Sequence, residues 1–264
     1  MNRTAVLVPH YNNLQGLEVS ISSIATGERV DIIIVDDGSL EKPDSDRLEA
    51  VCKADGVIEV ILLESNVGIE GALNAALCLA DSLNYKYVAR LDAGDIVVSN
   101  RFCKQEQFLE QNPEVKIVGG LVDILDDRGN YLYTLKHPEK TADIRKASRR
   151  YNPFVHPAVM MDLSIVMKYG GYPTEFPALE DWALFLRILH EHEVANPPFN
   201  VLKYIIDPDS ISSRKRFTQN YSKLRLLLST FDYTLNSSAG VAKAVLLLLS
   251  PRGLLTVIKK LIFR

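Results

Sequence analysis

The sequence predicts an α/β fold: a mainly parallel sheet with helices on both faces. Two observations carry this. Short apolar runs alternate with amphipathic helical stretches through the first hundred or so residues, the pattern of strands crossing over through helices. Three of those runs then break into polar or acidic turns, Pro9-His10-Tyr11-Asn12-Asn13, Asp36-Asp37-Gly38-Ser39 and Asp92-Ala93-Gly94-Asp95. In a doubly wound sheet such turns share one edge, where ligands bind.

The elements follow in order. Ala5 to Val8 is a compact apolar run closed by Pro9. Leu14 to Ala25 carries Leu14, Leu17, Ile21 and Ile24 at helical spacing, and Gly27 stops it. Asp31 to Val35 is β-branched and reads as a strand, Ser45 to Ala54 as a helix, and Val57 to Leu63 as a strand. Glu70 to Leu83, rich in Ala and Leu, reads as a strong helix. Tyr87 to Leu91 is a fourth strand and Arg101 to Glu110 a fourth helix. After Asn112 the character changes. Val115 to Leu125 and Tyr131 to Leu135 flank Asp126-Asp127-Arg128-Gly129-Asn130, a hairpin loop. Thr141 to Arg150 reads as a basic helix, Phe154 to Met161 as a strand, Asp181 to His190 as a helix and Val201 to Ile206 as a strand. From Phe217 the chain reads as helical, broken at Gly240 and Pro251.

Composition narrows the class. The chain has 264 residues, 47% of them hydrophobic and 24% charged, ordinary for a globular protein with a full core. The net charge of −3 argues against a nucleic-acid binder. Cys52, Cys78 and Cys103 have no metal-ligand spacing and fall in helical patterns, so buried thiols in a reducing compartment are expected. No secretory leader and no apolar stretch of membrane-spanning length is read, so a cytoplasmic location is expected.

Asp92 and Asp95 follow the fourth strand at a spacing that lets two carboxylates share one hard cation such as Mg²⁺ or Mn²⁺. A turn with a capping aspartate has the same sequence. Tyr11 is an aromatic suited to stacking on a base, and Asp37 an acceptor for a ring N–H or a ribose hydroxyl. Asp181, beside Glu180, opens a helix, where its placement alone reads as an acidic N-terminal cap, and the helix N-terminus is expected to favour its charged form. His10, His137, His190 and His192 show no ligand spacing and are expected at the surface or in loops. Neither a dinucleotide-binding G-x-G-x-x-G after the first strand nor a P-loop is present.

The runs Val6-Leu7-Val8-Pro9-His10-Tyr11-Asn12, Ile33-Ile34-Val35-Asp36-Asp37-Gly38-Ser39, Asn66-Val67-Gly68 with Ala72-Leu73-Asn74, and Arg90-Leu91-Asp92-Ala93-Gly94-Asp95 stand in order along the chain. Asn152-Pro153-Phe154-Val155-His156-Pro157, Gly170-Gly171-Tyr172 and Glu180-Asp181-Trp182 continue the series. Over roughly residues 4 to 215 this resembles the family 2 glycosyltransferases of bacterial surface-polysaccharide synthesis, which adopt the GT-A fold. The resemblance implies a nucleotide-sugar subdomain over residues 1–112, an acceptor and catalytic subdomain over 113–216, and a helical basic tail over 217–264. It places Pro9, Tyr11, Asn12, Asp37, Asn66, Gly68, Asn74, Arg90 and Asp92 around a nucleotide sugar, and Asp181 as the base of an inverting transfer. His156, Glu180 and Trp182 fall on the sugar or acceptor side, where Trp182, the single tryptophan, suits either stacking on an acceptor sugar or core packing. A divalent metal, Mn²⁺ or Mg²⁺, is implied on Asp92 with help from Asp95, because Gly94 stands where relatives carry the usual ligand. Ile205 stands where relatives often carry an arginine, a charge that Arg214 or Lys215 would supply. The implied donor is a UDP-sugar and the implied acceptor a glycan or lipid-linked hydroxyl, with no nucleic acid and the oligomeric state open. A non-catalytic sugar-nucleotide binder on the same fold and a nucleotidyltransferase are the alternatives.

The tail has its own signal. After Asp232 there is no acidic residue. Leu254, Leu255, Val257, Ile258, Leu261 and Ile262 fall on one side of a helix, with Arg252, Thr256, Lys259, Lys260 and Arg264 largely on the other. That pattern over residues 239–264 suits a helix lying on the inner face of the cell membrane, or packing on the domain or a second subunit.

Overall fold

The computed structural model describes residues 2–206 and 216–249. Eleven strands are named among them: β1 Thr4–His10, β2 Val30–Asp36, β3 Ile58–Leu62, β4 Tyr87–Arg90, β5 Ile96–Val97, β6 Val115–Val118, β7 Leu121–Leu125, β8 Tyr131–Leu135, β9 Met160–Asp162, β10 Glu193–Ala195 and β11 Asn200–Ile205. The helices are α1 Leu14–Ser23, α2 Ser45–Val51, α3 Ile69–Ser82, α4 Arg101–Gln111, α5 Thr141–Ser148, α6 Leu163–Lys168, α7 Glu180–Glu191, α8 Arg216–Ser229 and α9 Leu235–Leu249.

The main sheet has seven strands in the order β10-β6-β9-β4-β1-β2-β3, and a second sheet has four, β5-β11-β7-β8. The main sheet takes strands from both sides of residue 112. Successive residues of a strand face opposite ways, and the core divides accordingly. Ala5, Leu7, Ile33 and Val35 pack with Ala72, Leu73, Ala76 and Leu77 of α3 and with Leu184, Phe185 and Ile188 of α7. Val6, Val8, Ile32 and Ile34 pack with Leu17 and Ile21 of α1, Phe102 and Leu109 of α4, and Val122 and Val201 of the second sheet.

The main sheet is mainly parallel, as expected, with β9 alone lying antiparallel to its neighbours β4 and β6. Several other expectations are corrected. Val115 to Leu125 is not one strand. It breaks at Gly119-Gly120, sending β6 to the main sheet and β7 to the second, and side chains at those positions would meet Asn196 Oδ1 at 2.1 Å and Val201 Cγ1 at 2.6 Å. Phe154 to Met161 is extended only at its end; His156–Ala158 forms a 3₁₀ turn. Gly240 does not break the tail helix: it sits within α9, where a Cβ would meet the Arg149 carbonyl oxygen at 2.0 Å, so glycine lets the helix lie against that turn. Cys52 is half-buried, and Cys78 and Cys103 are exposed on the outer faces of their helices rather than buried. No helix among the described residues is long and apolar enough to cross a membrane. Arg214, Lys215 and the apolar-basic run 252–264 lie outside the described residues.

Candidate active site

Strand β1 sets the site. Its pairing with β4 ends at Leu7–Arg90, while its pairing with β2 runs on to His10–Asp36. Past Leu7 the two central strands part, and the turns after β1, β2 and β4 open around the gap, at the switch point of strand order. Pro9 fits this central strand because it lies beyond the last β4 partner, so its missing N–H costs no ladder bond.

The turns after β1 and β2 are stitched together by groups that sequence reasoning left out. His10 is buried, not in a surface loop, and its Nδ1 lies 3.0 Å from Asp36 Oδ1. The Asn13 amide donates to His10 Nε2 at 3.2 Å, which leaves Nδ1 as the nitrogen that donates to Asp36. Burial works to raise the Asp36 carboxyl. Bonds from Lys42, Ser39 and His10 outweigh it and hold the group below the usual carboxylate range. The Asn12 amide donates to Ser39 Oγ, and the Leu40 amide to Asn12 Oδ1. Tyr11 is left 52% exposed on this frame, free to meet a planar ligand. Asp37 accepts the amides of Val67 at 2.7 Å and Gly68 at 3.1 Å, and so shapes the turn that begins α3. Gly68, at φ +86°, is the N-cap there, and Asn66 beside it is exposed. Asn74 on α3 exchanges two hydrogen bonds with the Tyr172 backbone, clipping the Gly170-Gly171-Tyr172 turn to the donor side.

Arg90 is the hub. It is fully buried at the end of β4, donates through Nη1 to the Leu7 carbonyl at 2.7 Å and through Nε to His156 Nε2 at 3.2 Å, and grips Asp92 Oδ1 at 2.5 Å. His156 Nε2 also lies 3.0 Å from the Tyr172 hydroxyl. Burial, seconded by the Arg90 charge, pushes the His156 imidazole well below its ordinary range. It is therefore neutral, with Nε2 as the acceptor.

The two carboxylates after β4 differ. The Asp92 side chain is 37% exposed. Asp95 is buried beside Arg101, its Oδ2 has no partner, and burial followed by the Asp92 charge raises its carboxyl well above the usual range. The expected sharing of one cation by both is corrected: Asp95 is too enclosed, and Asp92 is the member a cation could reach. Gly94, at φ +114°, leaves open space where a side chain would stand.

Asp181 is held by two donors, Asn152 Nδ2 to Oδ2 at 2.7 Å and its neighbour Trp182 N–H to Oδ1 at 2.6 Å. The helix start does not settle its charge as expected. Burial, followed by repulsion from Asp92, outweighs the amide bonds and Arg90, and pushes its carboxyl up to about 6. Burial, then the Asp181 charge, pushes Glu180 to about 8, and its Oε2 is buried without a partner. Of the two readings open for Trp182, the fold takes core packing. The residue is 2% exposed, packs with Leu179, Leu226, Leu227 and Ala244 between α7 and the two C-terminal helices, and has Lys223 over its ring. Trp182→Ala is expected to lower stability by about 3–5 kcal/mol in a urea titration while leaving nucleotide affinity within about twofold.

The comparisons now fit this geometry. The family model described as Glycosyl transferase family 2 matches residues 5–169. The chain belongs to glycosyl transferase family 2. An amylovoran biosynthesis glycosyltransferase, AmsE of Erwinia amylovora, is 32% identical over 231 residues, 84% of this chain and 83% of the relative. An Escherichia coli UDP-Gal:alpha-D-GlcNAc-diphosphoundecaprenol beta-1,3-galactosyltransferase is 34% identical over 134 residues, 50% of this chain and 46% of the relative. Among solved structures, the Pyrobaculum calidifontis mannosyltransferase PcManGT in complex with GDP-Man and Mn²⁺ superposes with a TM-score of 0.65 at 17% identity, over 94% of this chain and 70% of that one. The family 2 chain thus has the GT-A fold and is a glycosyltransferase. Among its described residues no three His, Cys, Asp or Glu side chains gather into a metal site. The accessible Asp92 fits the lighter arrangement in which one carboxylate, substrate phosphates and water hold a hard cation.

Proposed function

We propose that this family 2 enzyme inverts the anomeric carbon as it moves a hexose from a UDP-sugar to a hydroxyl of a lipid-linked glycan, in the building of a surface polysaccharide such as lipopolysaccharide or capsule. The observation that carries the reading is Asp181, a carboxylate held by Asn152 and pushed to about 6. At neutral pH it is ionised yet basic enough to accept a hydroxyl proton, the balance a general base needs. Asp181 takes the proton, the acceptor oxygen bonds to the anomeric carbon, and the bond from that carbon to the diphosphate breaks on the opposite side. Tyr11 faces the uracil, and the β2 and β3 turns shaped by Asp37 hold the ribose side. The buried Arg90 cation orients Asp92 beside the departing diphosphate. A divalent cation on Asp92, when bound, would neutralise part of the diphosphate charge.

Stereochemistry of the product from a defined UDP-sugar tests the reading, and retention at the anomeric carbon would refute it. Asp92→Ala is expected to weaken UDP-sugar binding chiefly when Mn²⁺ is present. A wild-type rate untouched by EDTA would instead assign the diphosphate to basic residues.

We propose further that the enzyme works at the inner membrane face, docked through the run after residue 249. The acceptor class, the lack of acidic residues after Asp232 and the exposed Leu246 and Leu249 at the end of α9 support this. Liposome flotation of the full chain against one ending at Leu249 is expected to separate the two on anionic vesicles, each basic residue contributing about 1 kcal/mol. Ending at Leu249 spares α9, whose Ala244 seals the Trp182 cluster.

A further inference from the structure

An aromatic pair and a cation flank α5, His137 before it and Arg150 with Tyr151 in the turn after it, and the cation makes no ion pair among the described residues. Arg149 is bound to Asp232 at 3.0 Å and to the Thr230 carbonyl at 2.7 Å, and so ties α5 to the α8–α9 connection. Arg150, next to it, is exposed, and its side chain has no partner among the described residues. Tyr151 is 39% exposed, and its ring lies 6.0 Å from that of His137 at 31°. The next residue, Asn152, is the one that holds Asp181 Oδ2.

The frame beneath the pair is rigid. Asn196 is buried and its Nδ2 donates to the carbonyls of Pro138 at 3.0 Å and Pro153 at 3.1 Å. One amide therefore fixes the two segments that carry His137 and Tyr151 side by side. Burial holds the His137 imidazole below its ordinary range, so that ring is uncharged at neutral pH. An uncharged aromatic surface suits the apolar face of a pyranose, and an exposed guanidinium suits phosphate. Tyr151 and Arg150 lie within two residues of Asn152 along the chain, the side chain that holds Asp181.

We propose that His137 and Tyr151 form the acceptor-sugar subsite and that Arg150 holds the diphosphate of a glycosyl diphosphate lipid whose sugar hydroxyl faces Asp181. This rests on the reading of Asp181 as base, and it adds which residues select the acceptor. Asn152 then joins two tasks through adjacency: the chain that orients the base also carries the wall against which the sugar lies.

The test uses the purified full chain with saturating UDP-sugar. The probes are undecyl diphosphates bearing glucose, galactose, N-acetylglucosamine or N-acetylgalactosamine, and the matching undecyl glycosides without diphosphate. Tyr151→Ala is expected to raise acceptor KM about tenfold for both probe types. Arg150→Ser is expected to raise it about tenfold for the diphosphates alone. UDP affinity by calorimetry should stay within about twofold in both variants, which also verifies folding. Unchanged acceptor KM in both variants, or an Arg150→Ser effect equal on the two probe types, would overturn the subsite. Transfer by the wild type to the plain glycosides as readily as to the diphosphates would overturn the diphosphate role. Turnover of UDP-sugar with no transfer to any probe would overturn the acceptor class. Failure to turn over any UDP-sugar would strike the base and donor reading instead, so the two failures are distinguishable.

Discussion

Asp181→Asn is expected to reduce transfer by roughly 10²–10⁴-fold, with UDP affinity retained. Asparagine keeps the shape and can still accept the Trp182 amide, but it cannot take a proton. The pH profile gives the sign. The Asp181 carboxyl is raised to about 6, so wild-type transfer should climb as pH rises through about 6 and then level off. The residual rate of the variant should lack that limb. Stability should move the other way. The folded chain keeps the Asp181 proton to higher pH than the unfolded chain does, so this group weakens the fold as pH rises from the ordinary carboxyl range through about 6. The variant should therefore hold or raise the melting temperature at pH 7.5. A fall in both activity and melting temperature would mean that Asp181 is a structural cap.

Arg90→Met is expected to cut transfer on the order of 10²-fold and to move the acidic limb above about 6. Arg90 lowers the Asp181 carboxyl, so losing its charge lets burial and Asp92 raise that carboxyl further. The Leu7 carbonyl also loses one of its two donors and keeps the Leu91 amide, which should cost about 0.5–1.5 kcal/mol of stability. Arg90→Lys is the control. It keeps the charge and should keep the limb near 6, while losing the geometry that grips Asp92. If the limb stays in place in Arg90→Met, Arg90 does not set the state of the base.

The early strands and helices were legible in the sequence because burial on both faces demands unbroken apolar runs, and Pro and Gly punctuate their ends. The junctions after residue 112 were harder to read. Val115 to Leu125 has the composition of one long strand, and only the approach of Asn196 and Val201 to Gly119 and Gly120 shows why it must split between sheets. At the site, residue identity marked Asp181, Arg90 and Asp92, but their state depended on surroundings. Trp182 sits beside the base in sequence yet faces α8 and α9, whose positions no local pattern gives. His10 and Asp36 meet across 26 residues, and Asn152 reaches Asp181 across 29, separations over which spacing carries no signal. Asp95 and Asp92 look equivalent on paper and differ in the fold because only one is enclosed by Arg101 and the β11 backbone.

Strand β9 has a consequence for synthesis on the ribosome. It is three residues long and wedges antiparallel between β4 and β6, so the edge of β4 at Tyr87 stays unpaired until Asp162 has left the exit tunnel. The N-terminal strands can gather early around β1, β2 and β3, but for more than seventy residues of translation they carry an open, apolar strand edge of the kind that recruits other chains. The same delay orders the assembly of the site: the turns after β1 and β2 come first, the His156 turn closes under Arg90 as β9 docks, and α7 with Asp181 arrives last.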